Sequence, residues 1–342
     1  RQGAAGPDRA RDPRREPPPE PLPPPGAGPV APSPETRRLA MALARRVAAK
    51  LGIPFYAVDA REVFHKTVVQ YFLDGYAQNT TPNPCLACNR HIRWEFLLQR
   101  ALDIGADFMA TGHYARRLPG PDGSPQLYRA VDAAKDQSYG LHVLGQPQLR
   151  HALFPLGDYT KPQVRQLARD FGLPVAERSD SQDLCFLGKG DYRQFLLRHS
   201  PQVQQPGPIV SRSGEVLGEH QGLAFYTIGQ RKGLGIASPV PLYVLEKDAR
   251  SNRLVVGVLE ELGQDCLIAG PVHWTCGTIP AGPFQAQVKI RYKARDAAAL
   301  VTPQRDGFAR VQFETPLRDI TPGQAAVFYQ DDRCLGGGII RP

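Results

Sequence analysis

No apolar run in this 342-residue chain approaches the roughly 20 residues that a membrane-spanning helix needs. The hydrophobic share, 42%, is nevertheless ordinary for folded protein. The first residues show no sequence of charge, apolar stretch and small-residue cleavage site, so a cytoplasmic protein is expected. Cysteine is scarce. Six in 342 residues are too few for a disulfide scaffold, and reduced thiols are the better reading. A paired zinc motif is missing as well. Cys85-x-x-Cys88 is one short-range pair, but Cys266 and Cys276 are ten apart and Cys334 stands alone. No second pair completes a tetrahedral set, and no metal site is assigned. Internal repeats are absent too.

Positive charge, in contrast, is in excess. Lys and Arg outnumber Asp and Glu by 42 to 33, a formal net charge of +9. That balance favours a polyanionic partner, nucleic acid above all. The length suits two or three domains. Residues 1–34 crowd Pro17, Pro18, Pro19, Pro21, Pro23, Pro24 and Pro25 among Arg, Gly and Ala. With so little to bury, this stretch is expected to be disordered or polyproline-like. Ser33, Pro34 and Glu35 then read as a helix start, with Leu39, Leu43, Val47 and Leu51 at helical spacing and Gly52 as the stop. Next come an expected strand at 53–58, a helix over 61–74, a Pro-broken loop at 79–88 and a helix over 89–104. A strand at 108–110 runs into Thr111, Gly112, His113 and Tyr114. This alternation predicts an α/β domain with a parallel sheet. Ligands of such sheets sit at the carboxyl ends of strands, where Gly112 and His113 fall. A turn at 118–126 and helical segments near 136–145, 160–171 and 190–199 follow. After about residue 203, short alternating runs punctuated by glycine predict small antiparallel barrels or sandwiches. Strands are expected at 209–218 (a hairpin), 224–228, 242–245, 253–258, 285–292, 309–313 and 325–329, with a division near 264–270. The expected organisation is an α/β domain over 35–202, a β-rich domain over 203–264 and a β-barrel over 265–342.

Two cysteines carry the most chemical information. Cys88 lies in Thr81-Pro82-Asn83-Pro84-Cys85-Leu86-Ala87-Cys88-Asn89-Arg90, and Cys185 in Asp180-Ser181-Gln182-Asp183-Leu184-Cys185-Phe186. These polar, loop-like surroundings favour reactive over buried thiols. For Cys185, one place in a Leu184-Cys185-Phe186-Leu187 packing run is the competing reading. A helix starting at Asn89 would set Cys88 near a helix N-terminus, where the dipole favours thiolate, with Arg90 and His91 adding positive charge. If the fold joins the two, they form a pair able to pass sulfur or form a reversible disulfide. Lys135-Asp136-Gln137-Ser138 opens a helix. Asp136 is a cap there, or Lys135 and Gln137 meet phosphate or a base edge. His113 stands equally as a structural histidine or a ligand contact. The Tyr226 to Gly235 run joins Arg231 and Lys232 to glycines that would let backbone approach a phosphate; a hairpin turn with solvated charges is the plainer reading. Arg291-Tyr292-Lys293-Ala294-Arg295 interleaves cations with an aromatic, which suits RNA backbone contact and stacking.

Taken together, these segments resemble the tRNA-specific 2-thiouridylases, the bacterial MnmA family. The resemblance runs from about Arg37 to Ile340. It rests on Leu51-Gly52-Ile53-Pro54-Phe55, Thr81-Pro82-Asn83-Pro84 with Cys88-Asn89-Arg90, Ala110-Thr111-Gly112-His113-Tyr114, Lys135-Asp136-Gln137-Ser138-Tyr139 and Phe154-Pro155-Leu156-Gly157. Asp180-Ser181-Gln182 with Cys185-Phe186, Tyr226 through Gly235, and Pro322-Gly323-Gln324 with Gly336-Gly337-Gly338 complete it. The resemblance implies ATP-dependent 2-thiolation of the wobble uridine of tRNA, on a PP-loop ATPase-like α/β domain followed by two β-rich domains. It implies that Cys185 carries a persulfide loaded by a sulfur-relay protein and that Cys88 is the nucleophile. It places Gly112 at ATP, which would come with magnesium. It implies tRNA contacts for Asn83, Pro84 and Cys85 around the target base, and for His113, Lys135, Asp136, Gln137, Arg291, Tyr292 and Gln324.

Two departures from the family pattern stand out. Many members have Asp where this chain has Cys85. Cys85, Cys88 and Cys185 could then hold an iron–sulfur cluster with one open iron site, although the spacing permits this rather than favours it. The second departure concerns the Ser-Gly-Gly-Val-Asp-Ser loop with which the family grips the ATP pyrophosphate. No such segment exists in the sequence, and residues 1–34 stand where it is expected. The first domain is therefore read as incomplete and ATP binding as poor. The competing function is a tRNA-binding or sulfur-carrying remnant without turnover.

Overall fold

The computed structural model describes residues 34–177, 184–187 and 191–342. The expected disorder before residue 34 and the Asp180-Ser181-Gln182-Asp183 run lie outside the described residues.

The first helix spans Pro34–Leu51. Gly52, with φ +65°, ends it in the left-handed conformation that a side chain would resist. The strand expected at 53–58 does not form. Ile53, Tyr56 and Val58 are exposed, and no described strand lies alongside to complete a ladder. An apolar run without partners has no sheet to join. The parallel sheet is accordingly short. Strands β1 (Met109–Ala110), β2 (Ala115–Pro119), β3 (Pro125–Arg129) and β4 (Ala152–Leu153) follow one another. Of these four, β1 and β4 pair in parallel, Met109 with Ala152 and Ala110 with Leu153. The predicted turn near 118–126 is the hairpin joining β2 and β3.

Two long helical runs precede this pair in the chain, and both carry π-wound segments. The first is α-helical at Arg61–Phe64, π-helical at His65–Val69 and α-helical at Gln70–Ala77. The second is α-helical at Pro84–Ala87, π-helical at Cys88–Leu97 and α-helical at Leu98–Asp103. The second begins earlier than the sequence predicts. Asn83 caps it, its Oδ1 accepting from the Cys85 N–H at 3.1 Å, and Pro84 takes the first turn. Proline breaks a helix interior but suits its first residue, so a segment read as loop is a helix start.

The middle domain is a four-stranded sheet in the order β6-β5-β8-β7. Its strands are β5 (Gly207–Ser211), β6 (Val216–His220), β7 (Tyr243–Asp248) and β8 (Arg253–Gly257). The strand expected at 224–228 is instead a 3-10 turn at Leu223–Phe225. Leu223, Ala224, Phe225 and Tyr226 are all buried, and the Tyr226 N–H closes a turn on the Leu223 carbonyl at 3.2 Å instead of joining a ladder. They plug the core that this sheet shares with Phe72, Phe186 and Phe195.

The last domain has β9 (Gln264–Ala269), β10 (His273–Trp274), β11 (Phe284–Lys289), β12 (Ala297–Pro303), β13 (Ala309–Leu317), β14 (Ala325–Gln330) and β15 (Arg333–Ile339). Pairing runs β15-β14-β11-β12-β13-β9, and an Ala269–Ile340 bridge joins the two ends into a barrel. The division expected at 264–270 is thus itself a strand. The β2–β3 hairpin of the first domain also reaches the barrel, through the pairing of Tyr128 with Arg333. Among the described residues, no helix is long and apolar enough to cross a membrane.

Candidate active site at the thiol cleft

The loop that leads to Cys88 is fastened to the barrel before it enters its helix. The Thr81 N–H donates to the Pro322 carbonyl at 2.8 Å, and Gln324 Nε2 donates to the Thr81 carbonyl at 2.8 Å. Between them sits Gly323 at φ +95°, where an added Cβ would lie 2.8 Å from the Thr81 backbone. Only glycine permits that approach. The Thr81 hydroxyl also meets that of Thr227 in the middle domain at 3.4 Å. All three domains therefore position Asn83, Pro84 and Cys85. Asn83 has its side chain engaged as a cap, Pro84 is buried, and Cys85 is exposed.

Cys185 reaches this loop from nearly a hundred residues away. Its neighbour Phe186 is buried and meets Phe64, Phe72 and Phe195 edge-on, with ring centroids 6.0, 5.2 and 5.3 Å apart. That anchor leaves Cys185 exposed, and the packing-run reading applies to its neighbours, not to the thiol. The thiols of Cys85 and Cys185 each feel the charge of Cys88, and Cys85 also feels that of Cys185. The fold thus brings Cys85, Cys88 and Cys185 within electrostatic reach of one another. Burial raises all three thiols above the ordinary cysteine value. Cys85 and Cys185 remain solvent-accessible by area, so they sit in a cleft that is crowded but open.

Here the structure corrects the expected activation of Cys88. It lies a full turn inside the helix, not at its N-terminus. Arg90 turns to His273 Nε2 at 2.7 Å and to Glu95 at 3.3 Å, and His91 bonds Glu95 at 2.7 Å. The cation whose charge reaches the thiols is Arg93, which opposes the burial effect on all three. Sequence reasoning passed over Arg93, because Cys88 and Arg93 do not share a face of an ordinary helix. Among the described residues, no group of three or more His, Cys, Asp or Glu side chains is placed to hold a metal ion.

His113 lies behind Arg93. Its Nε2 meets Arg93 Nη1 at 3.4 Å and its Nδ1 meets the Thr111 hydroxyl at 2.8 Å. Burial, then the Arg93 charge, lowers its pKa to about 4. The ring is neutral at pH 7, and its Nε2 accepts from the guanidinium. Gly112 is exposed at the carboxyl end of β1. A Cβ there would meet only Leu156 Cδ1, at 3.8 Å. This open backbone fits the approach of a nucleotide, but the described residues contain no glycine-rich turn for its phosphates.

The remaining predicted contacts lie around the cleft, and several are engaged internally. The buried Asp136 accepts from the Ala130 N–H, the Ser138 N–H and the Ser138 hydroxyl, so its cap reading is the one that describes its carboxylate. Gln137 Oε1 accepts from the Tyr114 N–H at 3.0 Å, tying this loop to the end of β1. Lys135 faces Tyr292, whose ring lies 6.3 Å from that of Tyr139. Arg291 Nη2 donates to the Ile228 carbonyl at 3.2 Å and to the Thr321 hydroxyl, with Asp319 at 3.8 Å. Gln324 holds Thr81 as described.

Comparison with known proteins assigns a class to this architecture. In chain order it matches the tRNA methyl transferase HUP domain over residues 34–189, the tRNA methyl transferase PRC-barrel domain over 193–258 and the aminomethyltransferase beta-barrel domain over 264–340. A HUP-type α/β domain is thus joined to a PRC barrel and a terminal β-barrel. The chain is also 49% identical over 297 residues to the tRNA-specific 2-thiouridylase MnmA of Magnetococcus marinus, an alignment covering 87% of this chain and 83% of the relative. The corresponding protein of Chloroflexus aggregans is 48% identical over 300 residues, covering 87% and 84%. That of Moorella thermoacetica is 47% identical over 299 residues, again covering 87% and 84%. The chain belongs to the tRNA-specific 2-thiouridylase family.

Proposed function

We propose that this chain is a tRNA-uridine 2-sulfurtransferase that places sulfur on C2 of the wobble uridine, with Cys185 as persulfide carrier and Cys88 as nucleophile. The observation that carries this reading is that the fold brings Cys185, exposed, within electrostatic reach of Cys88. In the proposed sequence a sulfur-relay protein leaves Cys185 as a persulfide. The Cys88 thiolate attacks the inner sulfur of that persulfide. The S–S bond to the outer sulfur breaks as the Cys88–Cys185 disulfide forms, and hydrosulfide leaves with the electron pair to become the C2 sulfur. An external dithiol must then reduce the disulfide before the next turnover. Bound ATP, with magnesium, would supply the adenylyl group that makes the uridine C2 oxygen a leaving group, and Gly112 would meet the nucleotide.

In this reading the excess of positive charge draws tRNA to the cleft. Asn83, Pro84 and Cys85 surround the target base, and His113, Lys135, Asp136, Gln137, Arg291, Tyr292 and Gln324 shape the contact with tRNA. Asp136, Gln137 and Gln324 would do so by fixing loops, since their side chains are internally bonded. The test supplies tRNA, ATP and a persulfide donor to the folded chain and measures 2-thiouridine by mass spectrometry of digested tRNA. Cys88→Ser and Cys185→Ser should each lower product by at least about 10³-fold while leaving tRNA affinity nearly unchanged. Near-normal thiolation by either variant would remove the assigned roles. Folded wild-type chain that binds tRNA but makes no product would favour the remnant.

A further inference from the structure

The helix that carries Cys88 is wound to place one particular cation over it. From Cys88 to Leu97 the hydrogen bonding follows the π pattern, and the Leu98 N–H reaches the Arg93 carbonyl five residues back. In an α-helix two residues five apart point about 140° away from each other. In a π-helix the i→i+5 bond brings them back to nearly one face. Cys88 and Arg93 are five apart, and the Arg93 charge acts on the Cys88 thiol to oppose the effect of burial. The guanidinium contacts His113 Nε2, 3.4 Å from Nη1. That ring is held in turn by Thr111 at the end of β1.

Among the described residues, Arg93 is the cation whose charge acts on the Cys88 sulfur. On the same helix, Arg90 and His91 are directed to Glu95 and His273. From the 184–187 turn comes Cys185, and from the preceding helical turn Cys85, both of which would disfavour a second thiolate. His113, neutral, backs the guanidinium. With burial working against ionisation at all three thiols, one positive charge in their midst decides which sulfur carries the negative charge.

We propose that Arg93, brought over Cys88 by the π-winding of its helix and braced on His113, is the catalytic cation that holds the Cys88 sulfur as the attacking thiolate. This rests on the sulfur-transfer reading above and adds a residue to it. The guanidinium stabilises the thiolate before attack and is left facing the neutral disulfide afterwards. It gives up no proton in the step.

Arg93 is exposed, so its replacement spares the core. The test uses the full chain with Arg93→Gln and Arg93→Lys. The rate of iodoacetamide alkylation at each cysteine is followed by peptide mass spectrometry from pH 6 to 10, with Cys276 as internal control. In Arg93→Gln the Cys88 profile should move to higher pH and its rate at pH 7 should fall about tenfold, while Cys276 is unchanged. Arg93→Lys keeps the charge without the two-armed fork and should recover part of the loss. 2-Thiouridine formation should follow the Cys88 rate, with kcat falling and the KM for tRNA unchanged. A Cys88 profile in Arg93→Gln identical to wild type would overturn the proposal, whatever happens to activity. A shifted profile in a protein whose wild type makes no 2-thiouridine would overturn the sulfur-transfer reading instead and leave the thiolate–Arg93 pair standing.

Discussion

At the scale of single residues, chemistry in this cleft depends on which groups ionise. His113 and His142 are both buried, and burial lowers each pKa to about 4. The unfolded chain would protonate each near 6.5, so folding keeps each ring neutral. Their stabilising share is whole above pH 6.5 and is lost as pH falls toward 4, on the order of 3 kcal/mol per ring. Denaturant unfolding at pH 7.5 and pH 5 should show a marked loss at the lower pH, and His113→Asn should reduce that loss. An acid sensitivity unchanged in the variant would mean that His113 is not the neutral acceptor of the Arg93 bond. The thiols themselves were legible in the sequence because cysteine in a proline-rich or polar stretch is unusual. Arg93 was not. Its role depends on a helix winding that no residue spacing announces, whereas Arg90 and His91 looked closer in sequence and turned out to serve Glu95 and His273.

At the scale of elements, the Pro322-Gly323-Gln324 turn and the Thr81–Pro84 loop form a clamp. The turn holds one strand end of the barrel and the loop starts the Cys88 helix, so the barrel sets the position of the thiols. Gly323→Val adds a side chain at φ +95° and 2.8 Å from the Thr81 backbone. The loop must move, at a cost of about 1–3 kcal/mol. Thiolation should fall by about 10²-fold, because a displacement near 1 Å suffices for that. Cys85 and Cys88 should alkylate faster, and the barrel should keep its secondary structure by circular dichroism. Full activity in the folded variant would show that the clamp does not position the site. The Pro34–Leu51 helix, with its helical spacing, and β14, a short apolar run, were plain in the sequence. The missing strand at 53–58 and the 3-10 turn at Leu223–Phe225 were not. In one case the apolar run found no neighbour, and in the other four buried residues filled a shared core.

At the scale of the whole molecule, the proposed reading has tRNA held by a surface assembled from three domains. Arg291 lies where two of them meet. It joins the barrel to the Ile228 carbonyl of the middle domain and to Thr321 and Asp319 of its own. A guanidinium so engaged is a poor candidate for counterion release, since its charge already faces Asp319. The adjacent Lys293 and Arg295 are exposed and suit phosphate better. Measured as log K against log salt, tRNA binding by a Lys293→Ala, Arg295→Ala double variant should lose about two phosphate contacts from its slope. Arg291→Ala should weaken binding at every salt concentration with little change of slope, because it loosens the joint that presents the basic surface. If Arg291→Ala instead lowers the slope by a full contact and the double variant leaves it untouched, the guanidinium leaves its internal partners for phosphate when tRNA arrives. The joint between barrel and middle domain would then have to open on binding.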